Sequence, residues 1–214
     1  MRANAERLTA SAIRHRLMKL DETTHRKRAP WVILSGGNPA LHDLTPLVEE
    51  LHEHGFLVAV ETQGTRWRDW LGKVDRLCIS PKPPSSQEPK ARDLDVPLRF
   101  IGNALRARAA GGCDHDWMFL KIVCFDDDDL DFAEIMHGQP CDVLLYLSAG
   151  NDAGRSVGNP KRYDTRTVNG VRLDLCRQYR WLIESVFQRP ALCVPNVVCQ
   201  MQMHVAAWGN ELGR

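Results

Sequence analysis

The chain has 214 residues, 43% of them hydrophobic and 26% charged, which is ordinary for a globular protein with one full-sized core. Its formal net charge of +1 argues against a nucleic-acid partner and against binding to an anionic membrane. No apolar run is long enough to span a membrane, and the N-terminus lacks a signal-peptide core, so we expect a cytoplasmic protein.

Seven cysteines raise the question of a metal site. No two of them are separated by only two or three residues, so the sequence contains no compact zinc or iron–sulfur loop. An odd number of cysteines without an export signal favours free thiols, most of them buried as small hydrophobic groups. The positions are Cys78, Cys113, Cys124, Cys141, Cys176, Cys193 and Cys199.

Apolar runs of strand length alternate with segments of helical period, which predicts an α/β fold with a mainly parallel sheet. Thr45 and Pro46 resemble an N-cap followed by the first residue of a helix, and Gly55 suits the position after its end. In the first half we predict a helix at Thr9–Leu20, a strand at Trp31–Leu34, a helix from Thr45, a strand at Leu57–Val60, a short helix at Arg66–Leu71 and a strand at Arg76–Ile79.

The second half begins with a stretch too rich in proline and polar residues for a regular element, SPKPPSSQEPKARDLDVP. The elements predicted after it are a helix at Leu98–Ala110, a strand at Trp117–Val123, a helix opened by Asp126–Asp129, a strand at Val143–Leu147, a helix at Val171–Phe187 and a strand at Ala191–Val194. The total is five or six strands.

Polar clusters follow four of the predicted strands. They are Ser35–Asn38, Glu61–Thr65, Ser80–Ser86 and Ser148–Asp152. In parallel α/β sheets ligands bind beyond the carboxyl ends of the strands, so this coincidence predicts one binding site.

Each cluster also has an ordinary explanation. Gly36 and Gly37 can expose backbone groups to a ligand, but a glycine pair also suits a tight turn. Glu61 can accept hydrogen bonds from a ligand, or it can be a solvated carboxylate. The prolines around Lys82 favour a stiff ligand-binding loop over a plain linker. In the tail, Gln200 and His204 taken alone are weaker candidates.

Seven stretches taken together closely resemble one enzyme family, the 7-carboxy-7-deazaguanine synthases. These are radical S-adenosylmethionine (SAM) enzymes, lyases of the 7-deazapurine pathway that leads to queuosine. The resemblance starts at about Pro30, runs to the C-terminus and implies an incomplete radical SAM-type (βα) partial barrel. The stretches are LSGGNPAL, VAVETQGT, CISPKPPSS, FLKIVCFDDDDL, LYLSAGND, QYRWLIESV and QMQMHVAAWGN.

The reaction that the resemblance implies converts 6-carboxy-5,6,7,8-tetrahydropterin to 7-carboxy-7-deazaguanine with loss of ammonia. A reduced 4Fe-4S cluster splits SAM, the 5′-deoxyadenosyl radical takes a hydrogen from C6 of the pterin, and SAM is regenerated after ring contraction. The resemblance also implies Mg²⁺, a possible homodimer and a reductant such as flavodoxin. Cofactors carry this chemistry, while the protein positions them in a dry cavity.

The resemblance also implies roles for residues of this chain. The expected SAM contacts are Gly36, Gly37, Asn38, Glu61, Ser80, Lys82, Lys121, Ser148 and Asn151. The expected substrate contacts are Glu61, Thr62, Lys82, Gln200 and His204. We expect a single domain with a leading helix and loop at 1–29, a barrel core at 30–195 and a substrate-pocket tail at 196–214.

One departure from the family pattern is large. The CxxxCxxC loop that holds the cluster is absent from the sequence, as is the Thr beside it that helps hold Mg²⁺. We therefore expect the family's first strand and cluster loop to be missing, and no cluster or turnover on these 214 residues. A truncated reading frame is favoured over a cluster-free SAM- or pterin-binding or assembly homologue; a different radical SAM enzyme, such as a glycyl-radical activase, is a further alternative.

Overall fold

Six parallel strands form one sheet in which each strand pairs with the next one along the chain. A computed structural model describes residues 6–23, 31–88, 93–111, 115–138, 143–151 and 167–209. The strands are β1 (Trp31–Leu34), β2 (Leu57–Thr62), β3 (Arg76–Ile79), β4 (Met118–Cys124), β5 (Leu144–Ala149) and β6 (Val197–Gln200). This order is that of a sheet wound in one direction from βα units, as in a partial barrel.

Helices connect or flank the strands. They are α1 (Ala10–Thr23), α2 (Thr45–Glu53), α3 (Asp95–Gly111), α4 (Asp127–Gly138), α5 (Val168–Phe187) and α6 (Met203–Trp208). Short 3₁₀ helices lie at Pro39–Leu41, Asp69–Lys73, Pro84–Ser86 and His115–Trp117. The predicted α/β class with a parallel sheet and partial-barrel order is confirmed.

One face of the sheet carries the hydrophobic core. Side chains alternate between the two faces of a strand, so every second residue points towards the helices. Helices α2, α4 and α5 contact β2, β4 and β5. The residues on this convex face are at most 1% exposed: Val58, Val60, Leu77, Ile79, Leu120, Ile122, Leu145 and Leu147.

The start of α2 differs by one residue from the prediction. The helix begins at Thr45. Its N-cap is Leu44, whose side chain makes no capping hydrogen bond. Asp43 supplies the acceptor instead, because its Oδ1 accepts from the Thr45 amide at 3.1 Å and from its hydroxyl at 2.6 Å. Gly55 follows the helix end with φ of 73°, as predicted.

The strand predicted at Ala191–Val194 is wrong. The amides of Leu192 and Cys193 bond back to the Arg189 carbonyl at 2.9 Å, so this segment closes a turn after α5. The sixth strand is instead β6, which pairs with β5. The predicted domain division at residues 29 and 195 stays a prediction, although the tail beyond residue 195 supplies a strand of the sheet.

The flanking helices are held by ion pairs and packing. The Arg14 Nε donates to Glu50 Oε1 at 2.6 Å and thereby ties α1 to α2. Helix α6 packs on α5. Across the described ranges, no helix combines the length and the apolar character needed to cross a membrane.

Candidate functional site

The loop after β1 presents bare backbone at the carboxyl end of the sheet. Gly36 and Gly37 have φ of 81° and 54°, in the left-handed region that side chains disfavour. A Cβ built on either residue meets nothing within 4 Å, and both residues are exposed. The backbone conformation therefore requires glycine at both positions. Their amide and carbonyl groups are open to a ligand.

Asn38 and Thr62 join the loops after β1 and β2. Both side chains are buried, at 8% and 2% exposure, and the Thr62 hydroxyl donates to Asn38 Oδ1 at 2.7 Å. Asn38 Nδ2 donates to the Thr65 hydroxyl at 2.8 Å. Burial and these partners favour a role in holding the two loops, while direct contact of either residue with a ligand stays a prediction.

A smaller cleft of about 280 Å³ lies between these loops and the loop after β3. Ser80 lies in it at 7% exposure, and its amide donates to the Thr62 carbonyl at 2.7 Å. Lys82 is exposed at the same cleft. The lining residues are Ser35, Gly36, Gly37, Glu61, Thr62, Gln63, Ser80 and Lys82. The structure thus gathers three of the predicted clusters around one opening.

A larger cleft of about 700 Å³ lies on the concave face of the sheet, opposite the helices. Its walls come from five strands and the end of β6. Among its lining residues are Trp31, Ile33, Ala59, Glu61, Arg76, Cys78, Phe119, Lys121, Tyr146 and Gln200. Of the predicted substrate contacts, Glu61 and Gln200 lie here.

An ion pair lies on the floor of the larger cleft. Lys121 Nζ donates to Glu61 Oε1 at 2.7 Å, and the two side chains are 29% and 36% exposed. Cys78 lies on β3, between the strands that carry the pair, and is 6% exposed. Burial raises the pKa of the Cys78 thiol to about 12, and the negative charge of Glu61 adds to this. The thiol is therefore protonated and unreactive at neutral pH.

Aromatic and basic residues of the cleft were missed by the sequence analysis. Phe119 and Tyr146 form an edge-to-face pair with ring centroids 5.5 Å apart. The Arg76 guanidinium lies 5.7 Å from the centre of the Trp31 ring. The available signal was the strand alternation, because these residues occupy the positions out of phase with the buried aliphatic ones.

Four predicted contacts lie outside the residues that line the two clefts: Asn38, Ser148, Asn151 and His204. Ser148 is 3% exposed near the end of β5, and Asn151 follows that strand. His204 is exposed on α6. Asp152, the last residue of the fourth polar cluster, lies outside the described residues. The roles of these positions stay predictions.

No family model matches the chain. Among curated proteins, the 7-carboxy-7-deazaguanine synthase of Bacillus cereus is 36% identical over 186 residues, which cover 85% of this chain and 68% of that protein. The Bacillus subtilis enzyme is 35% identical over 186 residues, which again cover 85% of this chain and 68% of that protein. The chain belongs to the 7-carboxy-7-deazaguanine synthase family.

Solved structures agree with this family in fold. The crystal structure of QueE from Escherichia coli gives a TM-score of 0.51 at 17% identity, covering 91% of this chain and 64% of that one. Streptococcus suis SuiB bound to S-adenosylmethionine gives 0.54 at 13% identity, covering 98% and 48%. At these identities the likeness shows the fold alone, and this chain spans about two thirds of QueE.

The described cysteines do not fit the three-thiolate ligand set expected for the 4Fe-4S cluster. They lie on different elements: Cys78 on β3, Cys124 on β4, Cys176 on α5, Cys193 after α5 and Cys199 on β6. Burial raises the pKa of the Cys124 thiol well above its ordinary value, which further disfavours a thiolate there. Cys113 and Cys141 lie outside the described residues.

Among the described residues, one further group brings together side chains of the kinds that ligate metals. Glu50, Glu53 and His54 bring ligand atoms within 4.8 Å of one another at the end of α2. Glu50 is already paired with Arg14, and His54 Nδ1 lies 2.9 Å from the Glu50 carbonyl. Glu50 and His54 therefore have partners without a metal. None of the three residues lines either cleft.

Proposed function

We propose that this chain supplies the ligand-binding barrel of a 7-carboxy-7-deazaguanine synthase and binds SAM and 6-carboxytetrahydropterin. The observation that carries the proposal is the pair of adjoining clefts at the strand ends of a chain 36% identical to such an enzyme. The proposed reaction converts the pterin acid to 7-carboxy-7-deazaguanine and ammonia.

SAM suits the smaller cleft. The backbone carbonyls of Gly36 and Gly37 can accept hydrogen bonds from the methionyl ammonium, and a side chain at either position would disturb the backbone that presents them. Glu61 places negative charge at the same opening, where it favours a cationic ligand. Ser80 and Lys82 provide hydrogen-bond donors on the opposite wall.

The pterin acid suits the larger cleft. Its volume of about 700 Å³ lies in the range of small-molecule sites, and its walls combine apolar and polar side chains. Phe119 and Tyr146 offer aromatic surface for a flat ring, while Gln200 offers an amide. Radical cleavage of SAM would take one electron from a reduced 4Fe-4S cluster, for which the described cysteines do not form a ligand set. The described residues would hold the two ligands and keep water from the space between them.

The remaining features that the resemblance implies are also proposals. They are a bound Mg²⁺, a homodimer, a flavodoxin-type reductant and a cytoplasmic location. The described cysteines do not form the ligand set of a 4Fe-4S cluster. A cluster-free binding homologue is the alternative that this observation favours.

Ligand titration tests the proposal. We expect the purified chain to bind both SAM and oxidised pterin-6-carboxylate, an air-stable analogue of the substrate, in isothermal titration calorimetry. Gly37→Ala should weaken SAM binding at least tenfold, because its Cβ forces the loop out of its left-handed conformation. Gly138→Ala is the matched control, since a Cβ there also meets nothing within 4 Å but lies on α4.

The two ligands separate the competing functions. A glycyl-radical activase should bind SAM and ignore the pterin acid, and an assembly protein should bind neither ligand. Either result would contradict the proposal. Equal loss of SAM affinity in Gly37→Ala and Gly138→Ala would show that the glycine loop after β1 is not part of the site.

A further inference from the structure

Glu61 is the one residue of the described chain that lines both clefts. It stands near the carboxyl end of β2, where the floor of the larger cleft meets the opening of the smaller one. A ligand in either cleft is therefore within reach of the same carboxylate. Any change in its hydrogen bonding in one cleft changes the charge presented to the other.

Lys121 reaches this carboxylate across an intervening strand. Glu61 is on β2 and Lys121 on β4, and second-neighbour strands are separated by roughly 9–10 Å. The small Cys78 side chain lies on β3 between them, which leaves space for the lysine to cross. The resulting contact is 2.7 Å long.

The pair is suited to exchange partners. Both side chains are about one-third exposed to the cleft, and an ion pair in such a position contributes little to stability. A ligand carboxylate that replaces Glu61 at Lys121 substitutes one charge-assisted hydrogen bond for another. Glu61 is then left as an uncompensated negative charge beside the smaller cleft.

The other cation of the larger cleft is placed differently. Arg76 begins β3, whereas Lys121 is the central residue of β4. Its guanidinium lies over the Trp31 ring at the opposite end of the strands. Lys121 is thus the cation of the larger cleft that contacts the shared residue, Glu61.

We propose that Lys121 binds the carboxylate of the ligand in the larger cleft and so releases Glu61 to bind the cationic ligand in the smaller one. The inference rests on the proposed function, assigns the carboxylate of the substrate to Lys121 and adds a coupling between the two ligands. The coupling is reciprocal, so each ligand raises the affinity for the other by the same factor.

Calorimetry measures this coupling directly. SAM is titrated into the chain alone, with saturating pterin-6-carboxylate, and with pterin lacking the carboxylate. We expect the acid to tighten SAM binding about tenfold, within the usual range for coupled sites, and the uncharged pterin to leave it unchanged. In Lys121→Gln the acid itself should bind at least tenfold more weakly, and its effect on SAM should disappear.

Two further variants separate charge from fold. Lys121→Arg keeps a cation and should retain part of the coupling. Lys73→Gln removes a solvent-exposed lysine paired with Glu49 at 3.1 Å, and it should change neither affinity. A thermal unfolding scan of each variant establishes that the protein tested is folded.

The outcomes distinguish the two proposals. A wild-type chain that binds neither ligand would contradict the proposed function and with it the coupling. Binding of both ligands at unlinked affinities would overturn the coupling alone, as would unchanged coupling in Lys121→Gln. If the released Glu61 turned to Lys82 instead of the SAM sulfonium, SAM affinity would not rise, and the inference would be wrong.

Discussion

The two faces of the same sheet differ sharply in composition and burial. On the convex face, Leu120 and Ile122 of β4 are fully buried against helices. On the concave face, the intervening Lys121 pairs with Glu61, and Ile33 of β1 is 66% exposed. One strand therefore serves two purposes at alternate positions: the convex residues stabilise the fold, and the concave residues form the cleft.

This difference shows where substitutions should affect folding and where they should affect binding. Convex positions lose packing contacts when they are shortened, since the helices cannot fully close the cavity that is left. Concave positions border a cleft that is already open. Stability and ligand affinity should therefore respond to different residues of the same strand.

The largest expected effect comes from the convex face. Leu120→Ala should lower the free energy of unfolding by about 2–5 kcal/mol, because Leu120 is fully buried. Ile33→Ala on the concave face should lower it by about 0.5 kcal/mol or less. Urea unfolding followed by circular dichroism measures both variants. Similar losses in the two variants would show that the concave face is packed as tightly as the convex one.

Two glycines of the strand-end loops sharpen the comparison. A Cβ on Gly64 would lie 2.8 Å from Ile79 Cγ2, and the backbone there has φ of 70°. Gly64→Ala should therefore lower the free energy of unfolding by roughly 2–4 kcal/mol. Gly37 also has a positive φ, but a Cβ there would meet no neighbouring atom. Gly37→Ala should therefore lower the free energy of unfolding by about 1–2 kcal/mol. Thermal unfolding ranks the two variants. A reversed order would mean that the loop after β1 is more tightly packed around Gly37 than the loop after β2 is around Gly64.

The smallest effect, about 1.4 kcal/mol or less between pH 8 and 10, concerns Cys78, a concave residue that is nevertheless buried. Its pKa is raised by burial from 9.0 to about 12. Below pH 9 the thiol is protonated in both states; between pH 9 and 12 the unfolded chain releases the proton and the folded chain keeps it. The free energy of unfolding should therefore fall as pH rises, by up to about 1.4 kcal/mol per pH unit.

Unfolding measured at pH 8, 9 and 10 tests this dependence. Cys78→Ala should show a smaller fall than the wild type over this range. Cys176→Ala, which removes an exposed thiol on α5, should leave the fall unchanged. An identical pH dependence in Cys78→Ala and wild type would show that water reaches the Cys78 thiol in the folded chain.

Much of the fold was predictable from local pattern. Apolar runs located β1 to β5 within a few residues, and helical periodicity located α5. The sixth strand was misplaced because its run is short and follows a turn whose amides bond to Arg189. The turn at 191–194 and the strand at 197–200 have similar apolar content, and pairing with β5 distinguishes them only in the folded chain.

The candidate site was predictable in part. The polar loops were expected at the carboxyl ends of the strands, and the structure places three of them around the smaller cleft. The concave residues Arg76, Phe119 and Tyr146 were not expected. Strand alternation places them on the face opposite the buried aliphatic residues, but it does not predict that a cleft forms on that face. Asn38 and Thr62 were expected as ligand contacts, but a sequence cannot show that their side chains bond each other.

The sequence by itself determined the α/β class, the parallel sheet and the family, because these depend on local periodicity and on motifs of adjacent residues. Only the tertiary structure decided that Glu61 and Lys121, 60 residues apart, form one ion pair on the floor of a cleft. Strand pairing brings such residues together, and the helices on the convex face leave the opposite face for ligands. Both are properties of the packed chain and not of any segment.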